Sequence, residues 1–242
     1  MKKVIVLLSF VCAVLLGNEL ETAFKAHKAG DYQKAFKHFK IACDNGVYLG
    51  CGGLGFLYQS GQGVEQNYKE AFKYNKLACD NGEYMSCYNL GVLYKNGQGV
   101  EQNHKEAFKH FKLACDNGEY IGCYNLGVLY KNGQGVEQNH KEAFKHFKLA
   151  CDNGEYIGCY NLGVLYKNGQ GVEQNHKEAF KHFKLACDNG VNLGCGNLGF
   201  LYENGKGVRQ SYSMAKEYYG KACDLGAQEG CDVFADLNQK GY

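Results

Sequence analysis

Residues 119–154 and 155–190 are the same thirty-six letters written twice, EYIGCYNLGVLYKNGQGVEQNHKEAFKHFKLACDNG. Residues 83–118 differ from them only at Met85 and Ser86. A period of this size is one supersecondary element that cannot bury its apolar side alone. Copies of it are stable only when stacked on their neighbours. The chain is therefore constrained to a tandem stack, and one repeat specifies the local structure of the rest.

The repeat holds two amphipathic stretches. In the first, Cys123, Leu126, Gly127 and Tyr130 recur at i, i+3, i+4 and i+7; in the second, Ala143, Phe144, Phe147, Ala150 and Cys151 mark one stripe. Both spacings are helical, and neither alternates as a strand would. Asn139 precedes the second helix with Glu142 three residues on, the pattern of a capping box. Gly154 stands where a left-handed residue closes a helix. Between the helices runs Asn132-Gly133-Gln134-Gly135-Val136, a turn tolerant of positive φ. It lacks the full phosphate-loop patterns and follows no strand, so it reads as a helix–helix turn. Gly127, inside the first helix, costs about 1 kcal/mol relative to Ala. The expected return is close approach of the two helices.

Lys2 and Lys3 precede an apolar run, Val4 to Leu16, ending at Gly17. That is the charge and length pattern of a secretory leader over 1–17, too short to span a bilayer comfortably. A lipid-modified Cys12 is the alternative, on a poor lipobox. Losing Lys2 and Lys3 takes the formal charge from +2 to zero, which leaves no global field for nucleic acid or an anionic membrane. Residues 18–46 read as an N-terminal capping helix pair, with Glu19 to Lys28 the first helix and Asp31 capping the second. Five repeats occupy 47–226, and 227–242 holds a capping helix with polar surroundings.

Beyond Cys12 the cysteines fall as pairs eight residues apart, once per repeat: Cys43/Cys51, Cys79/Cys87, Cys115/Cys123, Cys151/Cys159, Cys187/Cys195 and Cys223/Cys231. An even count behind a leader points to disulfides. Pairing Cys51 with Cys79 and onward would strand Cys43 and Cys231, whereas pairing across each short turn strands none. Zinc sites use closer spacings and more ligands, so no metal or other cofactor is expected. His38, His110, His146 and His182 share one column with Tyr74 and Tyr218, and read as a solvated stripe.

Leu126-Gly-Val-Leu-Tyr130, Gly133-Gln-Gly-Val136 and Lys141-Glu-Ala-Phe144 resemble the Sel1-like repeat, a relative of the tetratricopeptide unit. With paired cysteines and a leader, the whole chain resembles the Helicobacter cysteine-rich protein family. The resemblance implies an all-α, right-handed α/α superhelical solenoid with one disulfide per repeat, secreted or periplasmic. It also implies penicillin binding with weak β-lactamase activity.

Two functions follow as expectations. The first is a secreted scaffold that binds an extended peptide or protein on its concave face. Its candidate residues are Asn89, Asn125, Asn161 and Asn197, a column of amides able to donate and accept, with Tyr88, Tyr124 and Tyr160 beside them. The second is a weak β-lactam hydrolase. Its only sequence candidate is Ser213-Met-Ala-Lys216, an S-x-x-K pattern whose Ser213 and Lys216 are one helical turn apart. No Ser-Asp-Asn or Lys-Thr-Gly accompanies it.

Overall fold

The computed structural model describes residues 18–242; the leader expected over 1–17, with Cys12, lies outside the described residues. All regular structure among the described residues is helical. The N-terminal compact unit ends at Glu119 and holds three hairpins: α1 (18–28) with α2 (Tyr32–Asp44), α3 (Tyr48–Ser60) with α4 (Tyr68–Asp80), and α5 (Tyr84–Asn96) with α6 (His104–Asp116). The C-terminal unit begins at Tyr120. It holds α7 (Tyr120–Asn132) with α8 (His140–Asp152), α9 (Tyr156–Asn168) with α10 (His176–Asp188), α11 (Asn192–Asn204) with α12 (Tyr212–Asp224), and α13 (Gln228–Gln239).

Local chemistry sets each boundary. Asn139 Oδ1 accepts the backbone N–H groups of Lys141 and Glu142, both at 3.1 Å, and so caps α8. Only this half of the expected box forms. The Glu142 carboxylate turns outward to Lys145, 2.6 Å away, because the N–H of Asn139 that it would accept is already donated to the Tyr130 carbonyl at 2.9 Å. At the other end Gly154 takes φ +92°, and Glu155 N–H donates back to the Ala150 carbonyl at 2.9 Å, a Schellman closure. The next first helix starts one residue later.

That tight exit aligns the cysteines. Cys151–Cys159 bridges α8 to α9, Cys187–Cys195 bridges α10 to α11, and Cys223–Cys231 bridges α12 to α13. In the N-terminal unit Cys43–Cys51 and Cys79–Cys87 do the same. Cys115 and Cys123 are disulfide-bonded as well. The five bridges given above as pairs each tie a second helix to the first helix that follows it.

The core repeats with the sequence. Ala143, Phe147 and Cys151 of α8 pack with Cys159, Leu162 and Leu165 of α9. Gly127 lets the second helix lay a side chain directly on the first. Its missing Cβ makes room for a ring, since a Cβ there would lie 2.6 Å from two carbons of the buried Phe147. Gly163 and Phe183 repeat the arrangement.

The histidine column is corrected by the structure. Tyr94 stacks on His110 with centroids 5.4 Å apart, and Tyr166 stacks on His182 at 5.5 Å. Tyr58–Tyr74 and Tyr202–Tyr218 stack in the same way. Phe72 and Phe144 meet Tyr94 and Tyr166 edge-on. The column therefore requires a flat ring, which histidine and tyrosine both supply. Burial pushes the His110 and His182 imidazoles below the usual histidine range.

Candidate functional site

The first helices carry the residues the sequence singles out. The structure does not set the four asparagines out as one row of free amides. Asn125 and Asn161 are 7% exposed, and their amides donate to the carbonyls of Ile121 and Ile157 one turn earlier, both at 2.9 Å. Asn89 donates to Asn75, a buried amide that stands where later repeats have Phe111, Phe147 and Phe183. Asn197 donates to the Leu193 carbonyl at 3.0 Å and accepts from Lys167 Nζ at 2.9 Å.

The tyrosines lie against the core phenylalanines, tilted, at 5.9–6.0 Å between centroids: Tyr88 on Phe111, Tyr124 on Phe147 and Tyr160 on Phe183. Burial raises the Tyr124 and Tyr160 phenols above their ordinary range. In the flanking repeats this column holds glycine instead, Gly52 and Gly196, and the position four residues on changes from valine to Phe56 and Phe200. These exchanges, visible when the repeats are aligned with one another, mark two recesses that a reading of the central repeat passes over.

The recess of the N-terminal unit has a volume of about 200 Å³ and is lined by Phe24, Phe39, Leu49, Gly53, Phe56 and Met85, among others. Phe24, Leu49, Phe56 and Met85 are 41–47% exposed although large and apolar. His27 Nε2 is buried at this recess without a hydrogen-bond partner. The recess of the C-terminal unit, about 300 Å³, is lined by Lys167, Leu193, Gly196, Phe200, Tyr219 and Val233, among others. A Cβ on Gly196 would meet nothing within 4 Å.

Ser213 and Lys216 are not brought together. Ser213 is exposed, with its hydroxyl 3.4 Å from that of Ser211, and Lys216 Nζ donates to the Tyr242 carbonyl at 2.5 Å. The nucleophile–base contact that an S-x-x-K site needs is absent from this pair. Among the described residues no group of three or more His, Cys, Asp or Glu side chains could hold a metal, and no helix is long and apolar enough to cross a membrane.

Tandem helical hairpins with a disulfide at the turns that join them define a disulfide-stapled helical repeat scaffold. The chain belongs to the Sel1 repeat family, whose profile matches residues 23–47, 49–83, 85–119, 121–155, 157–191 and 193–226. A 45-residue segment, 19% of this chain, is 51% identical to 13% of the Helicobacter pylori (strain ATCC 700392 / 26695) protein named "Putative beta-lactamase HcpE". A 59-residue segment, 24% of the chain, is 39% identical to 19% of "Putative beta-lactamase HcpD" from that strain. The matched segments thus span less than a fifth of these curated relatives. Among solved structures, c5321, a protective antigen of uropathogenic Escherichia coli, is similar with a TM-score of 0.85 and 27% identity over 93% of this chain and 49% of its own. A Sel1 repeat protein of Oxalobacter formigenes shares the fold, with a TM-score of 0.84 and 24% identity over 92% of this chain and 89% of its own.

Proposed function

We propose that this chain is a scaffold working outside the cytoplasm that binds a peptide or protein segment on its first-helix face, with apolar ligand side chains entering the recesses beside Gly52 and Gly196. The carrying observation is Gly196. Glycine inside a helix costs about 1 kcal/mol relative to alanine, and here neither backbone conformation nor packing needs it, because a Cβ would meet open space. What the glycine does is leave unfilled the volume that Tyr124 and Tyr160 fill two repeats and one repeat earlier. Exposed large apolar side chains around a concave opening are the general mark of a binding surface. The disulfides fit an oxidising compartment. Residues 18–46 and 227–242 act as the polar caps of the stack.

In this reading the central asparagines hold the helix, and Asn197 positions Lys167. The test is selection of displayed peptides on the purified chain, followed by Gly196→Tyr. Enriched peptides should share an apolar residue, and a fraction of them should lose binding to the variant. No enrichment on the folded, oxidised protein would sink the reading.

β-Lactam hydrolysis, the activity in the names of the Helicobacter relatives, has no arrangement at Ser213 and Lys216 to carry it. A fluorescent penicillin should leave Ser213 unlabelled; a Ser213-dependent label would reinstate the enzyme.

A further inference from the structure

Lys167 is an unusual lysine in this chain. It leaves α9 and lies over α11, with Nζ 2.9 Å from Asn197 Oδ1, 5.5 Å from the centroid of Phe200 and 5.9 Å from that of Phe183. One of its three protons is used, so two remain to donate. No carboxylate pairs with it among the described residues. The groups acting on its charge are the surrounding apolar burial and then the like charge of Lys206, and both hold the ammonium below the usual lysine range. Lys206 itself lies 5.1 Å from the same Phe200 ring. Two acids of this region are otherwise placed: Glu203 accepts from the Tyr219 hydroxyl at 2.9 Å, and Glu229 is exposed where it lines the recess.

One partly desolvated ammonium beside an apolar recess, with no carboxylate paired to it among the described residues, leaves its charge uncompensated. Each amide nearby has one of its two N–H groups already given to a backbone carbonyl. Asn197 donates to the Leu193 carbonyl, and Asn192 donates to the Leu225 carbonyl at 3.3 Å. A phosphate dianion carries twice the charge of this one half-buried ammonium. A carboxylate, with one charge and two oxygens, is matched. The surroundings then select what carries it, since Leu193, Phe200 and Val233 with the space over Gly196 accept an aliphatic side chain. One repeat earlier the same two columns hold Lys131 and Tyr160, so the combination of lysine and vacant volume falls at Lys167 and Gly196.

We propose that the recess of the C-terminal unit binds the free C-terminal carboxylate of a peptide ending in an apolar residue, with Lys167 Nζ holding the carboxylate and the last side chain lying over Gly196 against Phe200. This rests on the peptide-binding reading and gives it an orientation and a terminus.

The test uses the full oxidised chain and two probes, acetyl-Gly-Gly-Leu as the free acid and the same peptide as its C-terminal amide, titrated by calorimetry or by NMR. The acid should bind about ten- to a hundredfold more tightly than the amide, the range of one hydrogen bond to a charged group. Lys167→Met should bring the acid down to the level of the amide and leave the amide unchanged. Gly196→Tyr should abolish both. Equal binding of acid and amide, or an unaltered acid affinity in Lys167→Met, would overturn the carboxylate site while the peptide reading stands. So would failure of both probes where peptides selected on the chain still bind. If selection yields no peptide either, the broader reading falls with it.

Discussion

Three glycines, each replaced by alanine, should respond in three different ways, because their surroundings differ while the chemical change does not. Gly196 is helical and its new methyl would enter open space. Relief of the helical glycine penalty should stabilise the protein by about 0.5–1 kcal/mol. Gly154 has φ +92° and also faces open space, so only the left-handed conformation is penalised, at about 1–2 kcal/mol. Gly171 has φ +73°, and its Cβ would fall deep inside the carbonyl of His140 and 2.8 Å from the Lys141 nitrogen. Backbone cannot swing aside as a side chain can, so the turn must separate from the start of α8. An overpacking cost of about 1–3 kcal/mol adds to the conformational one, for a total of roughly 2–5 kcal/mol. Urea unfolding followed by circular dichroism gives all three values under one condition. A destabilising Gly196→Ala would show that the recess is not open, and equal losses for Gly154→Ala and Gly171→Ala would remove the contact between α8 and the following turn.

Removing one staple with Cys151→Ala and Cys159→Ala should cost about 2.5 kcal/mol for an eight-residue loop in the chain-entropy model, read by urea midpoint; a chelator should leave the oxidised protein unchanged. Asn139→Ala removes the cap of α8 and should cost about 1 kcal/mol, read in the same assay. His110 and His182 have pKa values lowered by burial, so the unfolded chain protonates first as the pH falls. Their contribution is complete above about pH 6.5, declines between there and the depressed values, and is flat below them. His110→Tyr with His182→Tyr, which copy Tyr74 and Tyr218, should flatten the midpoint-versus-pH curve in that window; a curve unchanged by the pair would refute the stacked assignment.

The hairpins could be read from the sequence because each depends on neighbours in the chain. Asn139 reaches N–H groups two and three residues ahead, and Gly154 closes a turn on Ala150. What could not be read was set by partners many residues away. The ring at His110 is chosen by Tyr94 across the hairpin. Gly127 is chosen by Phe147. The amides of Asn125 and Asn161 are taken by their own helices once the face is packed. The reversal at Gly196 is a departure from the repeat, and a reading built on the repeat treats departures as noise. Lys167 then follows from Gly196, since the volume it borders exists only where the tyrosine is missing.

The position of the staples also bears on how the chain reaches its oxidised state. Twelve cysteines can be joined in about ten thousand ways, a search that slows many secreted proteins. Here each bridge closes over eight residues, while the neighbouring wrong choice, Cys51 with Cys79, spans twenty-eight. Loop closure alone favours the shorter ring by about 1 kcal/mol. As the chain emerges from its N-terminus, Cys51 appears beside Cys43 well before any competing thiol follows. Oxidation can thus proceed one pair at a time in the order of synthesis, with each choice made locally before the next cysteine arrives. Near-identical repeats, which could otherwise exchange partners freely, are kept in register by the sequence of events.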